Sequence, residues 1–112
     1  MYLETVAREF VTSCQAREDL RPLLAGWDVR IELVTDANRV AFFVHDQEVE
    51  LGNATGGDEG LRTIKVFGDD GLLTAILEGA SDPSAAYVDG LLELDGYPED
   101  LMRLDVVVSE LW

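Results

Sequence analysis

The sequence predicts an α+β fold in which helices gather on one face of a mostly antiparallel sheet. Three observations lead there. Apolar residues recur at three- and four-residue spacing near the start and in two later segments. Between them lie three strand-like runs whose connections are too short for a crossover helix. Helix and strand patterns do not alternate strictly, which argues against a doubly wound parallel sheet. At 112 residues the chain is expected to form one domain, residues 1–112, large enough for one core but not for two.

The first segment reads as an amphipathic helix. Leu3, Val6, Ala7, Phe10 and Cys14 share a stripe, with Glu4, Arg8, Glu9 and Gln15 opposite. The pattern weakens at Pro22, and Gly26 suits a helix C-terminal cap. In WDVRIEL, Trp27, Val29, Ile31 and Leu33 alternate with Asp28, Arg30 and Glu32. A half-buried strand with one wet face is expected. TDAN, residues 35–38, is a turn. RVAFFVH is apolar on both faces and is expected to be central. HDQ then leads into EVEL and completes an antiparallel meander.

GNATGGDEG, residues 52–60, reads as a flexible crossover. It lacks the Lys-Ser/Thr ending of a phosphate-binding loop, and Asp58 and Glu59 would repel phosphate. LRTIKVF is a fourth strand. Asp69 and Asp70 suit the positive end of a helix whose stripe is Leu72, Leu73, Ile76 and Leu77, ended by Gly79. Asp82 and Pro83 open a short helix, and Gly90 and Gly96 bracket a strand over 91–95. Pro98, Glu99 and Asp100 begin the last helix, with Leu101, Leu104, Val108 and Leu111 at helical spacing. Met102, Val106 and Val107 widen its apolar surface, so packing rather than propensity must hold the valine run helical.

The net charge of −15 disfavours phosphate backbones and anionic membrane faces, so no nucleic-acid partner is expected. Lys65 is the only lysine beside seven arginines. An acid-rich, lysine-poor surface suits a salty cytoplasm and predicts a halophilic source. No apolar run approaches the ~20 residues needed to span a bilayer, so no stable membrane insertion is expected. MYLETVAREF lacks the basic start and apolar middle of a signal peptide, which predicts a cytoplasmic protein. Cys14 is the only cysteine and, on an apolar stripe, is expected to be buried and inert.

Catalytic chemistry finds little to build on. His45 is the only histidine, and Ser13, Ser81, Ser84 and Ser109 stand in no nucleophile motif. One histidine and one cysteine do not make a transition-metal site. Asp69–Asp70 and Glu99–Asp100 sit at helix starts, where the dipole accounts for them. A loose cation site at Asp58 and Glu59 is a weak alternative to a solvated loop. The expectation is a protein that is not an enzyme and carries neither cofactor nor metal.

The segment TIKVFGDDGLLTAILEGASDPSAAYVDGLLELDGYPEDLMRL resembles the sterol carrier protein-2 (SCP-2) sterol-transfer family. The matching positions are Gly79, Asp82, Pro83, Ala86, Tyr87, Gly90, Leu92, Leu94, Gly96, Leu101 and Leu104. The resemblance implies a five-stranded mixed sheet with helices over one face and an apolar tunnel between. It also implies non-catalytic binding of sterols, acyl chains, acyl-CoA, phospholipids or isoprenoids, with Tyr87 anchoring the short helix. The chain departs from the family where a basic residue often stands between the two glycines; here Leu91, Leu92 and Glu93 follow Gly90.

Phe42 and Phe43 are consecutive in a strand and must face opposite ways. The last helix is apolar over more than half its circumference and closes on Leu111 and Trp112. That surface either completes the core, lines a cavity or contacts a partner. Candidate lipid-binding residues are Phe42, Phe43, Ile76, Tyr87, Met102, Val106, Val108 and Trp112. The expected partner is a hydrophobic small molecule such as a fatty acyl or isoprenoid chain. The alternative is a solid-core interaction module, including a homodimer. An apolar cavity of roughly 300 Å³ or more separates the two.

Overall fold

Alternation in the first strand sets how the layers stack. The computed structural model describes residues 2–52 and 61–112. The crossover segment 53–60, with Asp58 and Glu59, lies outside the described residues. The strands are β1 (Asp28–Val34), β2 (Arg39–His45), β3 (Glu48–Gly52), β4 (Arg62–Phe67) and β5 (Glu93–Asp95). Their order across the sheet is β3-β2-β1-β4-β5. β1 and β4 run parallel, and the other three pairings are antiparallel. The middle position therefore belongs to β1, not β2. β2 is nonetheless paired on both edges, which fits its apolar character.

Register gathers the apolar residues on one face. Val29 lies opposite Val44, Ile31 opposite Phe42, and Leu33 opposite Val40. Ile31 also faces Ile64, Leu33 faces Val66, and Val66 faces Leu94. Cross-strand partners point to the same side, so these rows make one continuous apolar layer. Five helices pack against it: α1 (Tyr2–Gln15), α2 (Arg21–Leu24), α3 (Asp70–Leu77), α4 (Pro83–Val88) and α5 (Pro98–Leu111). A short 3-10 turn, Glu18–Leu20, links α1 to α2 and buries Leu20. The result is an α+β sandwich of one sheet and one helical layer.

The opposite face of β1 is less wet than its sequence suggests. Glu32 is only 5% exposed. Its carboxylate pairs with Arg39 at 2.9 Å and reaches Arg30 at 3.6 Å. Long charged side chains folded over one another here cover the sheet with their stems. Phe43 belongs to this face too. The Arg30 guanidinium lies 5.6 Å from its ring centroid. The ring fills the space over Gly52, where a Cβ would fall 1.6 Å from it.

Helix starts follow local chemistry. The Asp69 side chain accepts from the Leu72 N–H at 3.2 Å and caps α3. Asp82 accepts from the Ser84 N–H at 3.0 Å and caps α4, with Pro83 at its first position. Gly79 and Gly90 bracket α4 at φ +82° and +76°, a left-handed conformation that other residues adopt at a cost. The Leu91 N–H reaches back to the Ala86 carbonyl at 2.9 Å. The end of the short helix thus consumes the first residues of the expected 91–95 strand, and β5 is shortened. Tyr87 is half exposed, while Ala86 is buried.

Candidate functional site

The helical layer does not close completely on the sheet. A cavity of about 600 Å³ lies between them. Its floor is the apolar sheet face, with Ile31, Leu33, Phe42, Val44, Val66 and Leu94. Its roof comes from one side of each helix, including Phe10, Leu24, Leu73, Ile76, Leu104 and Val108. Those lining residues that are themselves exposed are Ser84, Tyr87, Val88, Met102 and Asp105. All five lie on α4 or α5, so the mouth opens along the cleft between these helices.

The cavity also accounts for the exposure pattern of α5. Leu101, Leu104, Val108 and Leu111 carry its apolar stripe, yet they are only half buried. In a filled core such a stripe would be sealed. Here it faces space, and only Val107 and Asp100 on this helix are fully buried.

Aromatic rings form one wall. Phe10 stacks on Trp112 with centroids 5.6 Å apart and meets Phe42 at 5.8 Å. The Trp112 indole N–H donates to the Ile76 carbonyl at 3.0 Å, tying the end of α5 to α3. Trp27 closes another part of the wall, and its N–H is also committed, to Asp100 Oδ1 at 3.1 Å. Both indoles therefore present apolar surface inward with their polar atoms already paired.

Asp100 is the polar clamp behind this wall. Arg62 donates to its other oxygen at 2.8 Å. Burial pushes the Asp100 carboxyl up, but the hydrogen bonds from Arg62 and Trp27, aided by Arg103, outweigh it and hold the group below the ordinary carboxylate range. Arg62 lies 4.4 Å from the Tyr97 ring centroid. Arg103 stacks 5.3 Å from the Trp27 ring centroid and donates to the carbonyls of Leu23 and Ala25. α2, β1, β4 and α5 are thereby locked around the cavity's far side.

Cys14 lines the deep wall and is buried. Burial pushes its thiol up to about 11, with Arg17 opposing slightly. His45 is exposed and pairs with Asp28 at 2.6 Å, away from the cavity lining. Among the described residues, no group of three or more His, Cys, Asp or Glu side chains could hold a metal ion. Among the described residues, no helix is long and apolar enough to cross a membrane.

The cavity brings together six of the eight candidate residues: Phe42, Ile76, Tyr87, Met102, Val108 and Trp112. Phe43 is not among the lining residues, because strand alternation turns it to the charged face beside Arg30 and Gly52. Val106 is also outside the lining and is exposed on α5. Ile31, Leu73, Leu104 and Asp105 also belong to the wall, though no sequence pattern singles them out for it. Ile31 was within reach, since it shares a face with Phe42 once the meander's register is known. Asp105 follows Met102 by three residues, a spacing that places the two on one helical face.

A one-sided sheet roofed by helices, with an apolar hollow between the layers, defines a class of small α+β sandwich. No protein-family model matches the chain. No curated protein sequence matches it. Solved structures do. Sterol carrier protein 2 like 2 from Aedes aegypti superposes with a TM-score of 0.61 at 19% identity, covering 100% of this chain and 97% of that one. The same mosquito protein has also been solved palmitated, again at 0.61 and 19%, covering 96% and 95%. A crystal structure of sterol carrier protein 2 superposes with a TM-score of 0.64 at 17% identity, covering 97% and 95%. The sec-alkylsulfatase Pisa1 from Pseudomonas sp. matches at 0.55 and 15%, over 80% of this chain but only 14% of the enzyme. The chain has the sterol carrier protein-2 fold.

Proposed function

We propose that this protein binds one apolar lipid chain, fatty acyl or isoprenoid, in the cavity between sheet and helices, and performs no chemistry on it. The observation that carries this reading is the cavity of about 600 Å³ with an almost wholly apolar lining. Its size falls within the range of small-molecule sites. Each methylene moved from water into such a space gains about 0.8 kcal/mol. The indole N–H groups of Trp27 and Trp112 are already bonded, so nothing in these rings demands a polar ligand atom. The palmitated mosquito structure supports an acyl chain as one ligand class for the fold. The open interior weighs against the solid-core interaction module.

Native mass spectrometry of the purified protein, with denaturing extraction of whatever it carries, tests the reading. The expected outcome is one bound lipid per chain, or uptake of one on incubation with acyl chains and isoprenoids. Val108→Trp, which fills the cavity from α5, is expected to lower occupancy at least tenfold while the fold persists by circular dichroism. A bare mass under all these conditions would overturn the proposal.

A further inference from the structure

We infer that the cavity prefers a chain whose end group is uncharged over the same chain ending in a carboxylate or phosphate. The inference rests on the lipid-binding reading and names the ligand class within it. Among the described residues, the lining contains no lysine, arginine or histidine. Inside, the polar atoms are few. The Trp27 and Trp112 N–H groups are committed to Asp100 and to the Ile76 carbonyl. Cys14 offers only a thiol, a weak donor. An anionic end group driven inward would be buried without a partner, which is strongly unfavourable.

Such a group is least disfavoured at the mouth, where Ser84, Tyr87, Val88, Met102 and Asp105 are exposed. Among the described residues, Asp105 is the one charged residue of the lining, and it is exposed on α5 beside Met102. Of the other acids on α4, α5 and their caps, Glu99 and Asp100 face Arg62 on the far side and Glu110 lies 3.8 Å from Arg17, so Asp105 is the acid that the cavity lining presents. Arg103 is turned away onto the Leu23 and Ala25 carbonyls and the Trp27 ring. Arg62 is held by Asp100 and Glu99. A carboxylate at the cleft would meet the like charge of Asp105, a repulsion that low salt leaves least screened. An alcohol, an ester or a plain hydrocarbon end meets no such opposition. It can sit among Ser84, Tyr87 and Met102 with its polar atom in water.

The test compares matched probes: dodecanol and dodecanoate, titrated into the full chain at neutral pH and low salt, followed by calorimetry. The expected result is that dodecanol binds roughly tenfold or more tightly than dodecanoate, a gap of about 1.4 kcal/mol. The gap should shrink in Asp105→Asn and narrow further or reverse in Asp105→Lys. Both changes are on an exposed helical position, so the fold should survive them. Equal or tighter dodecanoate binding in the unaltered protein would overturn the inference while leaving lipid binding intact. If neither probe binds, nor any longer acyl or isoprenoid chain, the lipid reading itself fails and this inference with it.

Discussion

Asp100 shows how much a single residue can differ from its sequence reading. Its place in the first turn of α5 was explained by the helix dipole alone. In the fold it also receives Trp27 and Arg62, which lie 73 and 38 residues away along the chain. No local pattern announces such a partnership. Asp100→Ala would leave the buried Trp27 N–H without an acceptor, and should cost about 1–3 kcal/mol by urea denaturation. The pH dependence follows from the lowered carboxyl. A carboxylate held lower in the folded than in the unfolded chain stabilises above the ordinary carboxylate range. That stability is lost as pH falls through the folded value. Urea midpoints should therefore drop less between pH 7 and pH 3 in Asp100→Asn than in the unaltered protein; equal drops would contradict the role given to this clamp.

Among the elements, α4 is legible in its ends and not in its facing. Asp82, Pro83 and the flanking glycines marked its ends correctly, because capping and left-handed turns are local chemistry. Which side it buries was not local. Ala86 is the residue of α4 that packs inward, and the larger Tyr87 is left at the cavity mouth. Gly90→Ala should destabilise by about 1 kcal/mol, since φ +76° strains any residue with a Cβ. Val88→Ala, at an 85% exposed position, should stay within about 0.5 kcal/mol. Thermal melts of the two variants check the contrast. If both changes are neutral, the turn is not held as described.

At the scale of the molecule, charge and cavity dominate. A net charge of −15 on 112 residues produces self-repulsion that added salt screens. The melting temperature is expected to rise as sodium chloride is raised from low to molar concentration. A flat or falling response would remove self-repulsion as a determinant of stability, and with it the case for a salty native environment. The cavity makes a different contribution. Empty, it leaves the α5 stripe half buried and forgoes the contacts of a filled core.

What the sequence determined by itself was the five strands, four of the helices, their order and the mostly antiparallel character of the sheet; the turn Glu18–Leu20 and α2 were not separable from the end of the first helix. Capping residues, strand alternation and helical periodicity are properties of neighbouring residues, so they can be read without the rest of the chain. Tertiary structure decided the facing and the void. Phe42 and Phe43 are indistinguishable as neighbours, and only the register with Ile31 on one side and Arg30 on the other assigns the first to the cavity and the second to the charged face. The hollow has the same cause. An apolar stripe on α5 is equally compatible with a filled core or an empty one, because packing density depends on how far two layers stand apart, and no local run of residues encodes that distance.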